Sequence, residues 1–183
     1  MAKRLFIALD LPDDLAGLLA GLDRGIEGMR WIAAERLHLT LCFLGNVETE
    51  AQARLAALLD HVDCEPFALR VKGCGCFTRH GGFVLWAGVE DPVDALAALH
   101  QQMADAVRAA GLDPGSERFH PHLTLARMRR GKPTMVREFL DENAERAFGE
   151  FPVDGVTLYS SELKPEGPVY RVECRRGFTT RPD

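Results

Sequence analysis

Long apolar runs are missing from this chain: no stretch approaches the roughly 20 residues that a bilayer-spanning helix needs, so such a helix is not expected. The start, Met1-Ala2-Lys3-Arg4 followed by Leu5 to Leu9, has the charge order of a signal peptide. Its apolar part is too short, Asp10 interrupts it, and no small-residue cleavage site follows, so a first β-strand and cytoplasmic residence are the expectation. Cysteine is sparse and odd in number (Cys42, Cys64, Cys74, Cys76, Cys174), which excludes a disulfide scaffold and suits a reducing compartment. Cys74-Gly75-Cys76, taken with His120 and His122, is spaced too tightly for a structural zinc site, where cysteine pairs are separated by at least two residues. Positive charge is not in excess either. A net charge of −5 argues against a protein that coats long nucleic acid. It leaves room for an enzyme that reads only a strand end through one basic cluster, and Arg127-Met128-Arg129-Arg130-Gly131-Lys132 is that cluster. Arg129, Arg130 and Lys132 read equally well as a solvated loop. There is no Walker lysine loop, no serine or cysteine in a nucleophile-elbow setting and no carboxylate cluster suited to magnesium. Neither a metal nor an organic cofactor is therefore expected.

What is present is a tetrapeptide, twice: His38-Leu39-Thr40-Leu41 and His122-Leu123-Thr124-Leu125. On average residue usage it should arise at roughly one position in 10⁵, so two chance copies in one small chain are implausible. Both lie in alternating aliphatic surroundings that read as strands. With a side-chain period of two, His and Thr share one face while both leucines point into the core. The histidines are 84 positions apart, and the rest of the chain repeats near that offset. Strands are expected at 3–9, 37–44 and 67–71, with helices from Pro12 to about Ile26 and from Thr49 to His61. The second half matches with a strand at 83–89, a helix across 93–110, the second motif strand, a helix near 133–146 and a strand from Phe151. A last strand pair, 155–162 and 168–177, is joined by the turn Lys164-Pro165-Glu166-Gly167-Pro168.

The helix pattern supports this locally. Asp91-Pro92 reads as an N-cap with proline at the first helical position, Thr49 as another cap, and Gly111 as a helix stop. Leu96, Leu99, Met103 and Val107 form one core stripe, as do Leu15, Leu18, Leu19 and Leu22, and Leu55, Leu58, Leu59 and Val62. The expected fold is α+β and bilobal, with a pseudo-twofold axis bringing both motif strands to one open cleft. All 183 residues would form one two-lobed domain, each lobe an antiparallel sheet with helices outside.

Near neutral pH an imidazole gives or takes a proton, so two of them supply both roles of a single displacement. Thr hydroxyls donate to the non-bridging oxygens of a phosphoryl group, and Arg127 adds a planar cation. That is equipment for acid–base phosphoryl chemistry without a metal, and a strained cyclic phosphodiester suits it. The plain alternatives are core histidines, threonines chosen for β-propensity, and a surface salt bridge for Arg127. His120 shares the strand parity of His122, but no Thr follows it two residues on, so it reads as a supporting neighbour. His61, His80 and His100 carry no motif and are expected at the surface. Trp31, Phe43, Phe77, Trp86 and Tyr159 are candidates to stack a nucleobase, most of them expected in the core.

The chain resembles the two-histidine (2H) phosphoesterases, and within them the RNA 2′,3′-cyclic phosphodiesterases, formerly called 2′-5′ RNA ligases. The likeness runs through Arg4-Leu5-Phe6-Ile7-Ala8-Leu9, Trp31, Leu37 to Leu41 with Phe43-Leu44-Gly45, Val84-Leu85-Trp86 and Phe119 to Arg127. It continues through Leu158-Tyr159-Ser160-Ser161 and Gly167-Pro168-Val169-Tyr170. The resemblance implies hydrolysis of a terminal 2′,3′-cyclic phosphate to a 2′-phosphate, with His38 as proton donor and His122 as proton acceptor. Thr40, Thr124 and Arg127 would hold the phosphoryl oxygens. Pseudo-symmetry leaves the acid and base interchangeable on sequence alone. A small cyclic nucleotide, reversible 2′-5′ ligation of tRNA halves, and a binding module without turnover stay open beside this reading. The expected partner is an RNA end or small cyclic nucleotide, with no membrane, and the chain is expected to be a monomer.

Overall fold

The computed structural model describes residues 2–79, 81–90, 92–115, 118–165 and 167–178. These residues form β1 (Lys3–Asp10), α1 (Asp13–Ala20), β2 (Arg30–Trp31), β3 (His38–Val47), α2 (Thr49–Leu59), β4 (Phe67–Arg79) and β5 (Gly82–Val89). They continue with α3 (Val93–Ala109), β6 (His122–Met128), α4 (Arg137–Asn143), β7 (Ala147–Val153), β8 (Gly155–Lys164) and β9 (Gly167–Gly177). The fold is α+β. Its strands make one antiparallel sheet in the order β7-β4-β5-β6-β3-β1-β8-β9, with β2 added beside β6.

Strand order is symmetric about the β6–β3 junction. Each motif strand pairs with the strand that opens its half of the chain, β1 or β5, and those pair in turn with β8 and β4. The half-sheet β3-β1-β8-β9 uses both ends of the described chain, and β7-β4-β5-β6 uses its middle. The two halves meet at one register pair, Leu39 opposite Leu123. Beyond it the edge of β6 is taken by β2, with Arg30 opposite Arg127, and by the Ile32 N–H, which donates to the Leu125 carbonyl at 2.8 Å. The motif strands therefore part just past the junction, and a cleft opens between the halves.

Beneath that junction lies a continuous core. Leu39, Leu41, Leu123 and Leu125 are buried in it together with the α3 stripe Leu96, Leu99, Met103 and Val107. α3 packs against both β3 and α2, so one helix braces the first motif strand from behind. It stops as its sequence requires: Gly111 adopts φ 80°, its N–H reaches the Arg108 carbonyl, and the Leu112 N–H reaches that of Val107.

Several boundaries differ from the sequence expectation. α1 ends at Ala20, well short of Ile26, because Gly21 follows and the Asp23 carboxylate takes the Gly25 N–H to start a turn at positive φ. Leu18 is correspondingly outside the stripe and largely exposed. Leu58 and Val62 are only partly buried against the core, while Leu55 and Leu59 are within it. Thr49 is the first residue of α2 and Glu48 its cap position. Pro92 precedes α3 as its cap residue, and Asp91 lies outside the described residues. The segment 133–146 divides into a 3₁₀ turn at Pro133–Val136 and α4. β4 runs eight residues past Val71, because β5 continues to pair with it from Cys74 to Arg79 after β7 has ended opposite Lys72. β8 and β9 close as a tight hairpin at Lys164 opposite Gly167, with Glu166 outside the described residues.

Candidate active site

A β-bulge follows the threonine in each motif strand. Ala8 faces Thr40 and Ile7 faces Cys42, which leaves Leu41 as the extra residue; Trp86 faces Thr124 and Leu85 faces Ala126, which leaves Leu125. The extra residue reverses the alternation, so Leu41 and Cys42 are buried in succession, and so are Leu125 and Ala126. Phe43 and Arg127 then emerge on the cleft side, with the motif residues His38, Thr40 and Thr124. Strict period-two alternation from His122 would have turned Arg127 into the core with Leu123 and Leu125. The bulge is what delivers it to the site.

Both imidazoles are held in the same way. His38 Nδ1 lies 2.8 Å from the Arg36 carbonyl, and His122 Nδ1 lies 2.7 Å from the His120 carbonyl. A carbonyl only accepts, so Nδ1 carries the proton in each ring and Nε2 is left for proton transfer. Burial pushes both histidines below the ordinary imidazole value. In each the bond to the carbonyl opposes this and the charge of Arg127 adds to it. The two sites differ in one respect: the Asp10 carboxylate draws His38 back up, while cationic neighbours lower both rings alike, Arg127 and His122 acting on His38 and His120 and Arg127 on His122. Asp10 sits opposite His38 in the β1–β3 register and accepts hydrogen bonds from Thr157 Oγ1 at 2.8 Å and the Tyr159 hydroxyl at 2.6 Å.

Around His38 lie Phe6, with ring centroids 4.9 Å apart, and Tyr170, edge-on at 5.3 Å. Around His122 lie Phe77 at 5.1 Å and Trp86 at 6.5 Å. Trp86 can lie there because its register partner is Gly75, where any Cβ would fall 2.2 Å from the indole ring. The glycine between Cys74 and Cys76 thus makes room for Trp86. All five cysteines are free, and among the described residues no three His, Cys, Asp or Glu side chains gather as metal ligands would.

The cleft between the halves has a volume of about 1320 Å³. His38, Thr40, Thr124 and Arg127 are on its wall, and so are Arg4, Arg30, Arg36, Arg129 and Arg130, with no acidic residue on it among the described residues. His122 is not part of that wall; it lies against the Phe77, Trp86 and His120 rings, and its charge is felt by His38. A chain of net charge −5 has therefore gathered six arginines in one hollow, a field that concentrates anions. The model of the 2′-5′ RNA ligase superfamily matches residues 12–165. The chain belongs to that superfamily.

Full-length relatives agree with this. The chain is 31% identical over 172 residues to the RNA 2′,3′-cyclic phosphodiesterase of Archaeoglobus fulgidus, covering 92% of this chain and 96% of the relative. It is 33% identical over 181 residues to the protein of the same name from Thermotoga maritima, covering 94% and 95%. The crystal structure of Escherichia coli LigT complexed with 3′-AMP superposes with a TM-score of 0.84 at 26% identity, covering 98% of this chain and all of that one.

In this member of the 2′-5′ RNA ligase superfamily, spacing alone misses several cleft residues. Arg4, Arg30 and Arg36 reach the wall from β1, β2 and the turn before β3, and Tyr170 comes from β9. Arg36 stands two residues before His38, whereas strand pairing is what brings in Arg4, Arg30 and Tyr170. Trp31 and Phe43 line the cleft, Phe77 and Trp86 flank His122, and Tyr159 is engaged with Asp10 and Phe6. Lys132 is not on the wall. His100 stacks on Phe119 at 3.9 Å, and His80 lies outside the described residues.

Proposed function

We propose that this chain hydrolyses RNA ends carrying a 2′,3′-cyclic phosphate to 2′-phosphomonoesters, with His38 as general acid and His122 as general base. The observation that carries the reading is the matched anchoring of the two rings: each is fixed through Nδ1 and keeps Nε2 for chemistry. His122 Nε2 takes a proton from water as the water oxygen bonds to phosphorus. The P–O3′ bond breaks, its electron pair stays on the 3′ oxygen, and that oxygen receives the proton from His38 Nε2. The 2′-phosphomonoester and a free 3′ hydroxyl result, and proton exchange with solvent resets both rings. Thr40, Thr124 and Arg127 donate to the non-bridging oxygens, where negative charge grows. Asp10 supports the assignment, since a carboxylate near His38 favours the protonated ring that an acid must be, while cationic neighbours lower both rings and do not distinguish them.

The test is an oligonucleotide ending in a 2′,3′-cyclic phosphate, incubated with the protein in excess EDTA, with the two product isomers resolved by chromatography. Conversion to the 2′-phosphate in the presence of chelator is the expected result, because the site's donors are imidazoles, hydroxyls and guanidinium groups. An intact cyclic end, or activity that appears only after a divalent ion is added, contradicts the proposal.

Dependence on pH follows from the same pair. kcat/KM reports the free enzyme and needs one ring charged and the other neutral, so it is bell-shaped. Burial and Arg127 hold both rings below the ordinary 6.5, which puts the centre of the bell on the acid side of that value. Bound substrate adds an anion that favours both protonated forms, so the bell for kcat lies at higher pH than the bell for kcat/KM. Rates across the imidazole range check this. A kcat/KM that climbs through 6.5 to a plateau would mean that a single histidine titrates.

A further inference from the structure

Strand pairing sets two cations side by side in the cleft: Arg30 of β2 stands directly opposite Arg127 of β6, and both are on the wall. Directly opposed residues of an antiparallel pair share a face, with Cβ atoms about 5 Å apart, and like charges so placed destabilise the pair. Acidic residues outnumber basic ones in this chain, 27 to 22, yet among the described residues neither arginine has a carboxylate partner. The other wall arginines are placed differently. Arg4 lies over the Phe43 ring, Arg36 lies against Gly167, and Arg129 and Arg130 follow the end of β6. The backbone around Arg30 is fixed on both sides. The Met29 N–H donates to the Ile26 carbonyl at 3.1 Å, the Trp31 ring meets Phe139 edge-on at 5.7 Å, and the Ile32 N–H is bonded to Leu125. Repelling cations held together in this way are relieved by an anion of more than one charge.

We infer that Arg30 and Arg127 form a two-arginine clamp for a phosphomonoester dianion, so that the cleft holds a 2′-phosphate end more tightly than the cyclic end it comes from. This rests on the reading of the cleft as an RNA-end site. The cyclic diester carries one negative charge on two non-bridging oxygens. Opening the ring at P–O3′ leaves the water oxygen as a third. Its remaining proton, with an ionisation near about pH 6, goes to solvent, and close to two negative charges remain at neutral pH. Arg127, with Thr40 and Thr124, meets the single charge of the diester. Arg30 meets the second charge, which exists only once the ring is open, and its planar fork takes the third oxygen. Ends that already carry a 2′-phosphate therefore compete with cyclic ends for the cleft.

The test is by binding, so that it does not depend on turnover. Calorimetry at about pH 8, above the second ionisation, compares three ligands in the wild type, Arg30→Gln and Arg30→Lys. They are adenosine 2′-monophosphate, its monoanionic methyl ester, and a dinucleotide ending in a 2′-phosphate. Arg30 is exposed and outside the core, so the substitutions leave the fold in place. The wild type prefers the monophosphate to its methyl ester. In Arg30→Gln that preference falls about tenfold, and Arg30→Lys, which keeps the charge without the fork, retains part of it. An unmoved ratio in Arg30→Gln, or a wild type that binds both mononucleotides equally, overturns the inference. A loss confined to the dinucleotide also overturns it, and assigns Arg30 to the next phosphate of the strand. A cleft that prefers the dianion through Arg30 while cyclic ends stay intact would sink the hydrolase reading and keep the clamp.

Discussion

Replacing either His38 or His122 with alanine lowers kcat/KM for a 2′,3′-cyclic phosphate end by about 10²–10⁴, the usual worth of positioned acid–base catalysis. The folded state changes little, because neither ring carries the core: that is done by Leu39, Leu41, Leu123 and Leu125 on the opposite face of the same strands. The double variant is little worse than either single one, since acid and base act in one step and losing one already idles the other. His120→Ala serves as the comparison. His120 orients His122 through its backbone carbonyl, which alanine keeps, so its effect is far smaller. Steady-state kinetics beside circular dichroism checks all four proteins. A folded His120→Ala as defective as His122→Ala would mean that the wrong member of the pair has been assigned.

Arg127→Ala has the second largest effect and leaves two signatures. Loss of a hydrogen bond to a charged partner costs about 1.5–3 kcal/mol, or roughly ten- to hundredfold in kcat/KM, and inorganic phosphate binds correspondingly less well. Arg127 also holds both imidazoles down through its charge. With the cation gone, the protonated forms are favoured, so both limbs of the kcat/KM profile move to higher pH. Arg127→Lys restores the charge, and with it much of the pH profile, but not the planar fork that engages two oxygens at once. Unaltered phosphate affinity together with an unmoved profile would return Arg127 to the role of a surface cation.

The doubled tetrapeptide made the centre of this site legible because it combines two signals that rarely coincide, a strand alternation and a set of chemically matched polar residues. Leu39 and Leu123 had to be core, and they form the junction of the sheet. The α3 stripe was readable for a similar reason, since a 3.6-residue period over a long helix survives local irregularity. What could not be read depends on pairing between distant strands. Nothing near Asp10 or Tyr170 in sequence shows that they stand beside His38; the β1–β3 and β8–β9 registers put them there. The bulges are equally hidden, because Leu41-Cys42 and Leu125-Ala126 look like an ordinary apolar step in a strand. Arg127 was found through its charge, whereas Phe43 at the equivalent position was one of five aromatic candidates, with no signal in the sequence to say which of them line the cleft.

The division of labour between the histidines is the centre of the account, and a change of leaving group tests it most directly. A terminal 2′,3′-cyclic phosphorothiolate with sulfur at the 3′ position releases a thiolate, which departs without needing a proton. On this substrate the His38→Ala variant should recover most of its lost rate, while His122→Ala stays as impaired as on the oxygen substrate, because water must still be deprotonated. Recovery in His122→Ala with none in His38→Ala would reverse the assignment, and recovery in neither would contradict general-acid catalysis by this pair.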